Sequence, residues 1–354
     1  MKMALSALAV LAALTAPPAA RAQGAAEEVA SYGLANAPTR LLVRGATDLE
    51  VLAPVLEAFV ARRPGVRIDF EEWNTNQLNQ LAEAACRGEI PAADLFISSA
   101  VDQQVKLVND GCAQPHRSAA TDALPAEENW RSEVFGITSE PTVIVYNRAL
   151  VPPDEAPTSR FDLLDLLRPE GSRYAGRVAT YDIEASGVGY LFAFQDSQQA
   201  TTFGSLIEAF GRTGAIATCC SAEIIDGVAR GRYLVAYNVI GSYALARAEE
   251  NPDLAVIAPR DYTLVLHRAA LIPKHAANPA TAGELIDFLL SAEGREVLAT
   301  RHLLVEPGDA ELPLPPGVLA APRSIPLSPV IMVGLDQQKR AQFLELWRRT
   351  FAAR

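Results

Sequence analysis

The sequence predicts an α/β protein made of two halves, each a parallel sheet covered by helices. Three observations predict it. Short apolar runs alternate with segments of helical period, so that βα units follow one another along the chain. The alternation restarts after a Pro-rich connection, Pro152 to Pro157. The third is size: 354 residues, 49% of them hydrophobic, can bury two cores without metals or disulfides as staples.

In the first half, Leu41, Leu42 and Val43 make a short strand, and Leu52, Val55, Leu56, Phe59 and Val60 recur at helical spacing until Arg63-Pro64-Gly65. Pro54 inside that segment predicts an irregular first turn or a kink. A strand from Val66 to Phe70 leads through Asn74-Thr75 into a helix with Leu78, Leu81, Ala82 and Ala85 on one face. A third strand, Asp94 to Ile97, precedes a helix marked by Val101, Val105 and Val108 and ended by Asn109-Asp110-Gly111.

Thr142 to Tyr146 reads as a strand before the Pro-rich connection. Beyond it come a helix from Phe161 to Leu167, a strand at Val178 to Thr180, and the loop Glu184 to Gly189 entering a helix. A helix from Ala222 to Val228, a strand from Leu234 to Tyr237, a helix from Tyr243 to Glu249 and a strand from Ala255 to Ile257 follow. Thr263 to Leu266 reads as a return strand, Ala282 to Leu290 as an amphipathic helix, and Asp336 to Phe351 as a final helix that clasps the body through Phe343, Leu344, Leu346 and Trp347.

The chain opens with Lys2, an apolar run from Met3 to Thr15, and the triplet Ala20-Arg21-Ala22 before Gln23. This is the pattern of a secretory signal peptide cut after Ala22, residues 1–22, and it is too short to span a bilayer. Gln23 stands where a lipoprotein anchor needs Cys. The expected product is exported to the periplasm. Its formal charge of −11 becomes two units more negative without Lys2 and Arg21, which excludes a generic nucleic-acid binder. Four cysteines enter an oxidising compartment. Cys86 and Cys112, at helix ends flanking the strand at Leu95, form a candidate disulfide; Cys219 and Cys220 are either a vicinal bridge or two small buried thiols.

Open α/β sheets hold ligands outside the carboxyl ends of their strands, where helix N-termini point unpaired N–H groups outward. Small polar residues gather at those positions: Thr47-Asp48, Asn74-Thr75, Ser98-Ser99, Ser186-Gly187, and Asn238 through Ser242-Tyr243. Each could be a helix cap alone. Their repetition in both halves favours a shared cleft, with Trp73 either bordering it or packing nearby. GxSxG, Walker and HExxH signatures are missing, and His116, His267, His275 and His302 are scattered, so binding is expected and not catalysis. Glu71, Glu72, Glu140 and Glu184 have no spacing that demands acid/base pairing.

The leader, the opening Leu41-Leu42-Val43-Arg44-Gly45-Ala46-Thr47-Asp48, the run Ser98 to Gly111, and Ala258-Pro259-Arg260-Asp261-Tyr262-Thr263 together resemble periplasmic solute-binding proteins of bacterial ABC transporters, in particular the ferric-iron-type cluster, which includes members encoded beside sensor kinases. The resemblance covers the mature chain. It implies a type II periplasmic binding fold, two α/β lobes joined by two crossing strands, here near Ser139 to Tyr146 and Pro259 to Leu266. Lobe 1 would comprise 23–140 and 262–354 with the C-terminal helix, and lobe 2 would comprise 141–261. Iron-binding members hold the metal with adjacent tyrosines at the position matched by Gly241-Ser242-Tyr243, and this chain has no Tyr-Tyr pair. No metal or other cofactor is therefore expected. The implied ligand set is Thr47, Asp48, Asn74, Ser98, Ser99, Ser139, Glu140, Ser186, Gly187, Asn238, Ser242 and Tyr243, which suits a small anion. Arg44 either adds a charge-assisted contact or pairs with a neighbouring carboxylate. The implied partners are a small-molecule solute and ABC permease subunits or a sensor kinase, for a monomer that closes on its ligand; ferric-ion binding is the alternative function.

Overall fold

The computed structural model describes residues 24–199, 201–314 and 321–351. The leader and its cleavage site lie outside them. No helix among the described residues is long and apolar enough to cross a membrane.

The first stretch runs β1 (Glu28–Tyr32), β2 (Thr39–Gly45), α1 (Leu49–Arg62), β3 (Val66–Glu72), α2 (Thr75–Cys86), β4 (Leu95–Ser98), α3 (Val101–Asn109), β5 (Ala113–Gln114), α4 (Ala119–Asp122), β6 (Asn129–Trp130) and β7 (Val134–Gly136). It continues with β8 (Glu140–Asn147), α5 (Arg160–Leu167), β9 (Val178–Tyr181), α6 (Gly187–Gln199), α7 (Thr202–Thr213), β10 (Ile216–Thr218), α8 (Ser221–Ala229), β11 (Val235–Ile240), α9 (Gly241–Glu250), β12 (Leu254–Ile257) and β13 (Thr263–Leu266). The chain returns through β14 (Ala269–Pro273), α10 (Pro279–Leu290), α11 (Ala292–Ala299), β15 (Pro322–Ser324), a 3-10 helix at Pro329–Leu335 and α12 (Gln337–Phe351).

Two sheets result, each the centre of one lobe. The first is ordered β1-β3-β2-β4-β14-β7-β6, with β5 on β14; the second is β10-β9-β11-β8-β13-β15, with β12 on β8. The expected βα units supply the parallel pairs β2–β3, β2–β4, β9–β10 and β9–β11. Neither sheet is wholly parallel, however. β14 runs antiparallel to β4 and β7, and β8 antiparallel to β11, β12 and β13. Those antiparallel strands are the ones that carry the chain from one lobe into the other or back, so local βα periodicity does not reveal their direction.

The chain passes between the lobes three times, once between α11 and β15 and twice at adjacent crossings, between β7 and β8 and between β13 and β14. The adjacent two are hydrogen-bonded to each other: Ile137 N–H donates to Arg268 O at 2.8 Å, and Arg268 N–H to Thr138 Oγ1 at 2.9 Å. These two crossings thus fall at Ile137–Ser139 and His267–Arg268. Residues 142–146 and 263–266, expected in the crossings, are strands inside the second sheet.

Apolar burial follows the predicted faces. Leu52, Val55, Leu56 and Phe59 of α1 pack with Leu285 and Ile286 of α10 on one side of the first sheet. α1 runs unbroken through Pro54. In the second lobe, α7 was absent from the periodic reading, yet it buries Phe203, Leu206, Ile207 and Phe210 and ends at Gly214 in the left-handed conformation, φ 72°. The final helix packs here: Leu344 and Trp347 join the cluster of α7, and Trp347 stacks on Phe351 at 4.3 Å. It was expected on lobe 1. An apolar stripe reports that a helix is covered but not which body covers it.

Candidate functional site

Between the lobes lies a cavity of about 170 Å³ walled by the strand-to-helix turns of both. From the first lobe come Thr47 and Asp48 after β2, Glu72 to Thr75 after β3, and Ser99 after β4. From the second come Tyr181 at the end of β9, Ser186 and Val188 around the start of α6, Cys219 to Ala222 around the start of α8, and Ile240 and Tyr243 around the start of α9. Arg268, at the crossing, lies at its base. A larger recess of about 670 Å³ between α7 and α12 lies away from these turns, whereas one of about 370 Å³ adjoins the cavity and shares Asp48, Ala222 and Tyr243 with it.

The lobes touch across this cavity, so the conformation is closed. The Tyr243 hydroxyl donates to Asp48 Oδ1 at 2.8 Å. Gly187 N–H donates to Thr75 Oγ1 at 2.8 Å, and Asn76 Nδ2 to the carbonyls of Ala185 and Glu184 at 2.9 and 3.1 Å.

Helix N-termini dominate the wall. Asn74 caps α2, accepting from Gln77 N–H at 2.9 Å. The N-cap residues of α1, α8 and α9, which are Asp48, Cys220 and Ile240, make no capping side-chain bond, and all three line the cavity. Their first-turn amides are therefore not satisfied by their own caps. On α1 a neighbour fills the place: Leu49 N–H donates to Glu72 Oε2 at 2.6 Å. Burial, with Asp48, Glu27 and Glu28 nearby, outweighs that hydrogen bond and pushes the Glu72 carboxyl up to about 7.

At the base, Arg268 and Glu140 form a fully buried pair, with Nε–Oε1 at 2.7 Å and Nη2–Oε2 at 3.1 Å. Arg268 Nη1 also donates to Thr47 Oγ1 at 2.7 Å. Burial opposes the charge of Arg268, but Glu140 holds its pKa above the ordinary arginine value. Tyr243, whose ring lies 5.4 Å from the guanidinium carbon of Arg268, is raised by burial, as is Tyr181, pushed up to about 12. Both phenols are protonated donors at neutral pH.

Of the expected ligand residues, Thr47, Asp48, Asn74, Ser99, Ser186 and Tyr243 line the cavity. The other six stand behind or beside it. Ser98 Oγ accepts from Ala100 N–H at 3.1 Å, and Ser139 bonds Glu306. Glu140 is the partner of Arg268, and Ser242 donates to Glu140. Gly187 meets Thr75 at the lobe contact. Asn238 occupies an irregularity of the β11–β8 pairing with φ 62°, its amide directed to Asp196 at 3.3 Å. Arg44 takes the second of its two alternatives, pairing with Glu71 at 2.7 Å. Trp73 is buried and borders the cavity, its indole donating to Glu71 at 3.3 Å.

Glu72, Tyr181, the two cysteines, Ser221 and Arg268 were missed as lining residues. Arg268 lies two residues past a predicted return strand, and Ser221 directly precedes a predicted helix, so both positions were open to reading. Cys86 and Cys112 are bridged, Cα–Cα 5.1 Å. Cys219 and Cys220 are bridged and half-buried, the first of the two alternatives. Among the described residues, no three His, Cys, Asp or Glu side chains are grouped to hold a metal ion.

Residues 41–302 match the family model described as bacterial extracellular solute-binding protein. The chain belongs to that family. Among solved structures, this solute-binding protein is 33% identical to the substrate binding protein of an ABC transporter from Agrobacterium tumefaciens, over 92% of this chain and 98% of that one, with a TM-score of 0.84. AfuA from Actinobacillus pleuropneumoniae, solved with fructose-6-phosphate, shares the fold at 17% identity over 89% and 99% of the two chains, TM-score 0.68. Iron-bound HitA from Pseudomonas aeruginosa does so at 18% identity over 88% and 99%, TM-score 0.64. A search of the curated proteins found no match.

Proposed function

We propose that this solute-binding protein is the receptor of an ABC transporter, which takes a small anionic solute into the interlobe cavity, closes over it and delivers it to a membrane permease. The observation that carries the reading is the convergence of the N-termini of α8 and α9, both without side-chain caps, on one interlobe cavity with Arg268 at its base; the N-terminus of α1 is already filled by Glu72. Such termini present N–H donors and positive dipole ends to an anion. The cavity has the volume of roughly six waters, which sets the scale of the solute. The solute is bound and released unchanged, by a monomer exported to the periplasm by the leader ending at Ala22.

Support also comes from the Agrobacterium relative, named as a transporter component, and from AfuA, which shares the fold and was solved with a sugar phosphate. The test is thermal unfolding of the mature protein against carboxylates, amino acids, phosphate esters and ferric ion. A solute at about a hundred times its Kd adds roughly 2.7 kcal/mol. Stabilisation by ferric ion alone overturns the anion reading. Capture of a sensor kinase, and no permease, by the closed form overturns the transport reading.

A further inference from the structure

The bridge between Cys219 and Cys220 stands on the second-lobe wall of the cavity, and the function proposed above leaves it without a role. Cys220 occupies the N-cap of α8, a position that favours Ser, Thr, Asp or Asn because their oxygens accept from the helix's own amides. A sulfur tied to its neighbour does not do this, and Cys220 makes no capping side-chain bond. Its carbonyl accepts Ile224 N–H at 3.0 Å as in any helix, which leaves the amides of Ser221 and Ala222 outside the intrahelical ladder. Both residues line the cavity.

The bridge also ties the backbone to itself immediately before the helix, so the turn is restrained from folding over those amides. Glu223 Oε2, 3.8 Å from Cys219 Sγ, is a weak polar neighbour. The pair otherwise offers a soft, polarisable surface to the cavity. Trp73 lines the same cavity from the first lobe. The second-lobe wall thus joins donors for an anion to a sulfur surface, and an indole stands on the opposite lobe.

We propose that the Cys219–Cys220 bridge is a specificity-determining part of the solute site. It keeps the α8 amides open for the anionic end of the solute and receives the solute's hydrocarbon portion against sulfur and the Trp73 indole. The solute class is then an organic carboxylate or phosphate with a carbon body, and not a bare inorganic oxyanion. This rests on the anion-binding reading above.

The experiment compares wild type with the double variants Cys219→Ser, Cys220→Ser and Cys219→Ala, Cys220→Ala. Each is melted alone and titrated with inorganic phosphate, sulfate, glutarate, phosphoenolpyruvate, phenylphosphonate and fructose 6-phosphate. Wild type is expected to bind at least one of the four carbon-bearing anions and neither inorganic ion. Both variants should keep the ligand-free melting temperature and bind that anion roughly tenfold or more weakly, the size of one lost charge-assisted hydrogen bond. The serine variant should lose more, because the introduced hydroxyl caps α8 and takes the amide. Equal binding by wild type and variants, tight binding of inorganic phosphate or sulfate, or a melting temperature that falls with the bridge each overturns the proposal. If no anion binds wild type, the anion reading itself has failed, and the inference goes with it.

Discussion

Gly187→Ala is expected to separate lobe closure from folding. Gly187 opens α6 on the second lobe, and a Cβ there would come 2.6 Å from Gln103 Nε2 and 3.0 Å from both Asn76 Oδ1 and Thr75 Oγ1, all on the first lobe. Gln103 can swing away, since its amide is the far end of a flexible side chain. Thr75 is short, and it also accepts Gly187 N–H at 2.8 Å, so it cannot retreat without losing that bond. Overpacking of this kind costs about 1–2 kcal/mol, toward the low end of the usual range because one neighbour yields. The cost falls on the closed state only. Solute affinity should therefore weaken roughly 5–30-fold, while the melting temperature of the ligand-free protein is unchanged or slightly raised, alanine being the better helix former. Gly189→Ala is the control. Its Cβ would lie 2.4 Å from Tyr181 Cβ, within the second lobe, where nothing can swing away, so it should lower the melting temperature itself. Calorimetric titration and thermal unfolding read the two effects. Unchanged affinity in Gly187→Ala, or a loss of affinity matched by a loss of ligand-free stability, would refute the reasoning.

Three further outcomes are expected. Asp102, buried at the start of α3, has its carboxyl pushed up to about 7 by burial, against hydrogen bonds from backbone amides and the field of Arg340. The native state then holds a proton that the unfolded chain has released, so stability falls as pH rises from about 4 to 7, by up to roughly 3–4 kcal/mol. Asp102→Asn should remove the Asp102 share of the slope in urea denaturation, with Glu72, also raised to about 7, supplying a comparable share; an unchanged slope would contradict the assignment. Glu140→Gln leaves the buried Arg268 guanidinium without its counter-ion and should cost about 3–5 kcal/mol by urea denaturation, with a loss below 1 kcal/mol counting against the pair. Cys86→Ser with Cys112→Ser opens a loop of sequence separation 26 and should cost about 3–4 kcal/mol on the chain-entropy estimate, checked by calorimetry.

The βα units of the first lobe were legible because each is local: a strand such as Leu41–Val43 and a helix such as Leu52–Val60 declare themselves by period alone. The antiparallel partners were not. β14 reads as five buried residues, Ala269 to Pro273, and nothing within them says that they pair with β4 rather than extend β13. The site was legible in the same measure. Small polar residues after parallel strands marked Thr47, Asn74 and Ser99 because the turn itself faces the cavity. Glu140 and Ser242 resemble them in sequence but are drawn inward by Arg268, a residue 128 positions from Glu140. Which polar group meets the cavity and which neutralises a buried charge depends on that distant partner, and periodicity carries no information about it.

The buried pair also fixes where the jaw turns. Glu140 begins β8 at one of the adjacent crossings and Arg268 stands in the other, while Thr47 of the first lobe accepts from Arg268 and Ser242 of the second donates to Glu140. Four groups from both lobes and both crossings therefore converge on one fully buried ion pair. Opening the cavity there would expose an uncompensated charge, whereas parting the edge at α2 and α6 breaks neutral hydrogen bonds, Gly187 to Thr75 and Asn76 to Ala185 and Glu184, besides the Tyr243 bond to Asp48 that spans the cavity. The second costs far less per bond once water replaces the lost partner. The open form should then keep the Nε–Oε1 contact of Arg268 and Glu140 at its present 2.7 Å while Asn76 leaves the carbonyl of Ala185 altogether, and a crystal structure of the open form with that pair broken would put the pivot elsewhere.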